Sequence, residues 1–453
     1  MNEQNSQKQS SKRFLKLWGF LSYLAVVCAA PYYLIRIILA KKYRAGLRQR
    51  LTLYSLDEIK RLQNGPYLWI HTVSVGELQA ARPLLKRLKQ EYAECKLLVT
   101  TVTETGQQLA HSLPEIDAAF YLPLDLYPLC RHLTALARPV CVLIFETEIW
   151  PNLIRMISSQ NIPFFLVNAR ISDRSFGRYH FFRFFFAPLL NLFTAILSQS
   201  EEDAARFMRI GAPSEKVHAI GNIKFDAVDL HQDDSEAAKW KSLFQIDENE
   251  IVLLGGSTFA GEEIVLARIR DQLAGEGISI RLILAPRHVE RVPAIVDELQ
   301  MKGYDGVLRS KIECDGDSRL EKKHVILLDT IGELRNVYAA ADLVFIGKSL
   351  CYIGGQNPIE PAAWGKAILF GENMQNFRDV SSLLLRANGA RMISNEQELL
   401  VECRYLCMQP HIRQDMGQHA REVVLQNRGA SDTIMDYINT HGRLVSRKNE
   451  KFS

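Results

Sequence analysis

The chain has 453 residues, 47% hydrophobic and 23% charged, with a formal net charge of only +4. That length and balance suit two globular domains with an extension and exclude a polycation whose whole surface binds nucleic acid, because the basic excess is local. The eight cysteines are scattered without a C-x-x-C pair, which argues against a disulfide framework or a zinc knuckle and fits a reducing compartment.

The first element is an apolar run. Residues 17–35 carry no charge and are flanked by Lys8, Lys12, Arg13 and Lys16 before and by Arg36, Lys41, Lys42 and Arg44 after. As a helix the run reaches ~28 Å, close to the hydrocarbon thickness of a bilayer. Its length and two-sided basic flanks fit a cleaved signal peptide poorly. A spanning helix fits, with the bulk of the chain on the more basic, cytoplasmic side. So does an interfacial anchor, because Pro31 interrupts the run and Trp18, Tyr23, Tyr32 and Tyr33 suit the headgroup zone.

Strands and helices then alternate. Strands are predicted at 67–73, 96–102, 140–145, 164–169 and 195–200, each followed by a helical pattern. The stretch 226–242, "DAVDLHQDDSEAAKWKS", is polar and acidic and reads as a linker. The alternation restarts with strands at 251–257, 280–286, 324–329, 341–347 and 367–370. Continuous aliphatic strands between helices indicate parallel sheets buried on both faces. Two such doubly wound, Rossmann-like halves predict an α/β protein with a ligand cleft between the carboxyl ends of two sheets.

Polar residues concentrate at those strand ends. "HTVSVGE" ends the first strand and puts Glu77 in the first turn of a helix. A carboxylate there complements the helix dipole, and it is equally placed to act as a base. "IFETEIWPNLI" puts Glu146 and Glu148 after a strongly apolar strand, where they cap the next helix or serve chemistry. Lys224 in "GNIKFD" sits beside the linker. "GGSTFAGEE" (255–263) offers N–H groups and hydroxyls to an anion, without the lysine of a Walker loop. Arg287 and His288 follow a buried strand and suit an anionic ligand. "DTIGEL" (329–334) opens another helix with Gly332. "GGQNPIEPAAWGKAILF" (354–370) combines two glycines, Asn357 and Glu360 at a helix start, a pattern suited to a nucleotide sugar. No H-E-x-x-H, G-x-S-x-G or strand-led D-x-D pattern supports a zinc-protease, serine-hydrolase or metal-binding reading.

In this order, "HTVSVGE", "TVTETG", "ETEIWPNLI", "NARISDRS", "QSEEDAARF", "GNIKFD", "GSTFAGEE", "PRHVER", "DTIGEL", "GGQNPIEPAA" and Asn376–Phe377 closely resemble the 3-deoxy-D-manno-octulosonic acid (Kdo) transferases of lipopolysaccharide synthesis. The resemblance runs from the anchor region to about residue 430 and implies the two-domain glycosyltransferase-B (GT-B) fold with an N-terminal membrane-anchor helix. The implied organisation is an N-terminal extension with its anchor (1–45), an acceptor-binding domain (46–227), a linker (228–248), a CMP-Kdo-binding domain (249–425) and a C-terminal helix with a basic tail (426–453).

The implied reaction is inverting transfer of Kdo from CMP-Kdo to the lipid A precursor (lipid IVA), at the cytoplasmic face of the inner membrane. By matching motif, Glu77 is implied as general base, with Glu146 and Lys224 supporting the transition state. Pro286, Arg287, Ile331, Gly332, Glu333, Asn357, Pro358, Ile359 and Glu360 are implied to hold CMP. The leaving group is a nucleoside monophosphate, so no metal and no cofactor are expected; the bilayer is an expected partner and nucleic acid is not. Four positions depart from the family pattern: Phe259 and Gln356 stand where histidine is common, Val289 where proline is, and Lys348 where glycine is. A nucleotide-sugar epimerase of the same architecture and a non-catalytic membrane scaffold are the alternative readings.

Overall fold

The computed structural model of the chain describes residues 46–228, 234–312, 320, 321 and 323–442. The apolar run at 17–35 and the basic end of the chain lie outside the described residues. No helix among the described residues is long and apolar enough to cross a membrane.

The described residues form two compact units, one from the chain up to residue 227 together with the residues from 428, the other from 228–427. Each is built on a seven-stranded sheet. In the first unit the strands are β1 (Tyr67–His71), β2 (Lys96–Thr101), β3 (Ala118–Tyr121), β4 (Pro139–Phe145), β5 (Phe164–Ala169), β6 (Ala195–Ser198) and β7 (Val217–Ala219). In the second they are β8 (Ile251–Thr258), β9 (Ile280–Pro286), β10 (Gly306–Leu308), β11 (Val325–Leu327), β12 (Leu343–Ile346), β13 (Ala367–Gly371) and β14 (Ala390–Ile393). All paired neighbours run parallel.

The first sheet has the order β3-β2-β1-β4-β5-β6-β7 and the second β10-β11-β9-β8-β12-β13-β14. The strand order therefore reverses between β1 and β4 in one unit and between β8 and β12 in the other. In open α/β sheets, ligands bind outside the carboxyl ends of the strands at such a point.

Burial on both faces explains the continuous apolar strands. On β1, Trp69 joins a core on one face with Leu98, Val142 and Ile144, while Leu68 and Ile70 join the opposite core with Leu97, Val99 and Leu143. Both parities must be apolar when helices cover both faces. In the second unit Leu253, Leu282, Leu284 and Phe345 pack with Leu266, Leu273 and Leu299 of the flanking helices.

Helix Ala430–His441 returns to the first unit. Ala430, Ile434, Met435 and Ile438 repeat at helical spacing and enter its core. Asp226 fastens the start of this helix, accepting from the Gly429 N–H at 2.8 Å and the Ser431 N–H at 2.6 Å. The carboxylate thus serves as a cap supplied from a distant part of the chain. Asp226→Ala should cost about 0.5–2 kcal/mol, as for loss of a cap, and selectively speed amide hydrogen exchange across 430–441.

The stretch 228–248, expected as a linker, contains helix Asp234–Leu243. Trp240 and Phe244 are buried, so this part of the chain belongs to the second unit's packing. Its apolar content is confined to a few positions, which is why the composition reads as solvated. The described cysteines are free thiols, and Cys95, Cys130, Cys141, Cys403 and Cys407 are buried.

Candidate active site

In the first unit the site forms where β1 and β4 end. Ser74 caps helix Val75–Glu91, its hydroxyl oxygen accepting from the Glu77 N–H at 3.3 Å. Glu77 answers with its carboxylate. Oε1 accepts from the Ser74 hydroxyl at 2.9 Å and Oε2 from the Val73 N–H at 2.7 Å. The arrangement follows the logic of a capping box, one residue displaced. Burial pushes the Glu77 carboxyl up to about 7, reinforced by the charge of Glu146 and opposed by the Val73 and Ser74 hydrogen bonds. Glu77 is therefore both a helix-start carboxylate and a group poised to exchange a proton near neutral pH.

Glu146 directly follows β4 with φ +55°, a left-handed conformation uncommon for a residue with a side chain. Its N–H donates to the Val167 carbonyl at 3.0 Å, and Arg170 Nε lies 3.4 Å from its Oε2. The Glu148 carboxyl is also pushed up, first by burial, with the charge of Glu146 adding to it. Neither glutamate is needed to cap helix Pro151–Ser159. Asp125 does that, accepting from the Asn152 N–H at 3.1 Å and the Leu153 N–H at 2.9 Å. Capping therefore does not account for Glu146 and Glu148.

Lys224 lies on the short 3-10 turn Ile223–Ala227, which packs on the helix that begins with Glu77's turn. A relay of buried amides holds that turn. Asn168 Oδ1 accepts from the Ile223 N–H at 3.1 Å, Gln199 donates to the Asn168 carbonyl at 3.0 Å, and Asn222 donates to Gln199 at 2.9 Å. Asn222 Oδ1 then accepts from the Lys224 N–H at 3.0 Å. Sequence reasoning missed this relay, because its members lie on separate strand ends; the polar residue closing each apolar run was the available signal. Nearby, His71 is fully buried at the end of β1, its Nδ1 3.0 Å from Thr100 Oγ1, and burial pushes it down to about 4, so the ring is neutral at pH 7.

The second unit collects its candidates at the same end of its sheet. Pro286 closes β9, and Arg287 follows, exposed, its N–H donating to the Thr258 carbonyl at 3.1 Å. Arg287 has no carboxylate partner among the described residues. After β11, Ile331 is exposed and Gly332 takes φ +92°. The Glu333 carboxylate is committed to Arg309 at 3.1 Å and to the Thr330 hydroxyl.

After β12, Asn357 Oδ1 accepts from the Ile359 N–H at 3.0 Å, while its amide donates to Glu360 Oε1 at 3.3 Å. Burial pushes the Glu360 carboxyl up, against the Asn357 hydrogen bond and the charge of Arg335. Pro358 and Ile359 are buried supports of this turn. The helix it opens, Ile359–Ala363, is little more than one turn, so side chains rather than a long helix dipole define this corner.

The loop 255–263 differs from its reading as a cradle of free donors. Glu262 is fully buried and takes one of them, the Phe259 N–H, along with three N–H groups from residues 348–350. Its Oε2 accepts from the Phe259 N–H at 2.9 Å and the Lys348 N–H at 2.8 Å, and its Oε1 from the Ser349 and Leu350 N–H groups, each at 3.2 Å. The Thr258 hydroxyl donates to Glu263 at 3.0 Å. One carboxylate thus ties the end of β8 to the end of β12, a role that two adjacent glutamates at a helix start do not reveal.

These features agree with comparisons to known proteins. Residues 45–227 match the family model for 3-deoxy-D-manno-octulosonic-acid transferase (kdotransferase). The chain is 30% identical to a 3-deoxy-D-manno-octulosonic acid transferase of Haemophilus influenzae over 93% of this chain and 98% of that protein. The chain belongs to the Kdo transferase family. It is a glycosyltransferase, and its place is in lipopolysaccharide synthesis. A Kdo transferase of Rickettsia felis is 31% identical over 75% of this transferase and 71% of the relative. Among solved structures, the UDP-GlcNAc 2-epimerase of Neisseria meningitidis bound to UDP-GlcNAc matches 83% of the transferase and all of that chain, with TM-score 0.53 and 15% identity. That likeness is one of fold, and it agrees with the GT-B class.

The transferase also carries a surface that sequence reasoning passed over. "HFFRFFF" (180–186) spans helices Asp173–Phe181 and Arg183–Leu190. Phe181 and Phe184 are 74% and 64% exposed, and Phe182 is exposed beside them. Isolated exposed aromatics need no explanation, whereas a group of them does.

Proposed function

We propose that this transferase moves Kdo from CMP-Kdo to the lipid A precursor lipid IVA by a single inverting displacement, without metal or cofactor, at the cytoplasmic face of the inner membrane. The observation that carries the proposal is Glu77: a carboxyl held near neutral pKa at the carboxyl end of β1, where the first sheet reverses its strand order.

In this reading an acceptor hydroxyl attacks the anomeric carbon of Kdo as its proton passes to Glu77. The bond from that carbon to the phosphate oxygen breaks, and CMP departs with the electron pair. The Val73 and Ser74 hydrogen bonds fix the carboxylate's direction, and the negative charge of Glu146 raises its basicity. Glu146, itself anchored by Arg170, offers negative charge to the sugar as it becomes cationic. Lys224, held by the amide relay, offers positive charge to developing negative charge. Pro286–Arg287, Ile331–Gly332–Glu333 and Asn357–Pro358–Ile359–Glu360 hold CMP, with Arg287 free to meet its phosphate.

The apolar run at 17–35 and the exposed phenylalanines support membrane association. Phe181, Phe182 and Phe184 stand among Arg178 and Arg183, a combination suited to acyl chains beneath anionic headgroups. Changing Phe181 and Phe184 to serine should raise the KM for the lipid acceptor about tenfold or more, since burying each ring contributes about 1.5–3 kcal/mol. CMP affinity should be unchanged.

The experiment that tests the proposed function follows CMP release from CMP-Kdo in the presence and absence of lipid IVA micelles. Release that depends on the lipid supports transfer. Equal release without lipid would mean that the lipid is not the acceptor.

A further inference from the structure

We propose that Lys348 is a donor-binding residue whose ammonium holds an anionic oxygen of the sugar nucleotide at the carboxyl ends of β8 and β12. This rests on the reading above that the second unit takes CMP-Kdo.

Lys348 stands two residues after β12, beside β8, at the point where the second sheet reverses its order. Its backbone has φ +59°, and the Glu262 carboxylate fixes its N–H. The side chain is therefore launched from a rigid, unusual backbone. Its Nζ lies 5.0 Å from the centre of the Phe259 ring, within cation–π range. Phe259 in turn meets Tyr352 and His288, with ring centres 5.6 and 5.7 Å away, and Arg287 adjoins His288.

The ammonium has no acidic partner among the described residues. Glu262, the carboxylate nearest in the bonding pattern, already accepts two N–H groups on each oxygen. A half-buried lysine with three donors, resting on an aromatic face with no carboxylate of its own, is arranged to receive an outside anion. The contact also joins two departures from the family pattern, Phe259 for histidine and Lys348 for glycine. The exchange removes an imidazole and supplies a permanent cation against the same ring position.

The anion is either the phosphate or the carboxylate of the Kdo sugar. Calorimetry with cytidine and CMP, together with the KM for CMP-Kdo, separates them. Lys348→Met keeps the stem over Phe259 and removes the charge. It should weaken donor binding about tenfold or more, the effect of one charge-assisted hydrogen bond, with kcat within about threefold and cytidine affinity unchanged. Lys348→Arg should restore most of the binding. Lys348→Gly suits the left-handed backbone, so it should fold with undiminished melting temperature and show the same weakening.

Weaker binding of both CMP and CMP-Kdo assigns the phosphate, and weaker binding of CMP-Kdo alone assigns the sugar carboxylate. Unchanged affinity for both in Lys348→Met, with wild-type binding intact, overturns the proposal. Wild-type protein that neither binds CMP nor transfers Kdo overturns the underlying reading of the second unit and the proposal with it.

Discussion

Glu77→Gln is expected to slow Kdo transfer by about 10²–10⁴-fold, the range for loss of a positioned general base. Glutamine keeps an acceptor for the Val73 or Ser74 donor, so the helix start should survive and the melting temperature should change little. CMP affinity should be unchanged, because the groups assigned to CMP lie on the second unit. The wild-type pH profile should carry the same signature. Only the carboxylate can take a proton, and Glu77 is pushed up to about 7. Activity should therefore rise as pH increases through about 7 and level off above it, and this limb should vanish in Glu77→Gln.

Stability runs the other way. A carboxyl with a raised folded pKa binds its proton more tightly in the folded state than in the unfolded chain. Its contribution favours folding at the acid end of the window and diminishes as pH rises from the ordinary glutamate range through about 7. On the proposed mechanism the group becomes active under the conditions in which it supports the fold least.

Glu262→Ala should have the largest effect on stability. The substitution strands the N–H groups of Phe259, Lys348, Ser349 and Leu350. Each unsatisfied buried donor costs about 1–3 kcal/mol, so the sum should reach about 4 kcal/mol or more where water cannot enter to replace the carboxylate. Urea unfolding followed by Trp240 and Trp364 fluorescence, both in the second unit, should show the loss there. A midpoint within error of wild type would mean that Glu262 does not hold the ends of β8 and β12 together.

The strands at the centre of each sheet were legible because they are buried on both faces. β1, β4, β8 and β9 are apolar over most of their length, and sequence reasoning found them within a residue or two. The strands it missed, β3, β7, β10 and β14, are the edges of the two sheets. They are three or four residues long and pair on one side only, so "GVL" at 306–308 carries too little apolar signal to stand out.

The candidate site was legible in a similar, partial way. Polar residues after apolar runs marked Glu77, Glu146 and Arg287, which the structure sets at or beyond the carboxyl ends of β1, β4 and β9. The glycines and Asn357 before a helix start marked Glu360, which the structure places in the first turn of helix Ile359–Ala363. What sequence reasoning left out was mutual support. Asp125 capping the helix after Glu148, the Asn168–Gln199–Asn222 relay under Lys224, and Glu262 gathering N–H groups from another strand end all depend on contacts distant in the chain. Residue type alone does not reveal such partners, and it made Glu262's loop read as a set of free donors.

The most direct test is mass spectrometry of lipid IVA after incubation with the purified full-length chain and CMP-Kdo, in detergent with a metal chelator present. The account predicts lipid that gains one or more whole Kdo units with the wild-type protein and essentially none with Glu77→Gln. Lipid of unchanged mass from folded, CMP-binding wild-type protein would contradict lipid IVA as the acceptor, and undiminished gain with Glu77→Gln would return Glu77 to the role of a helix-start carboxylate.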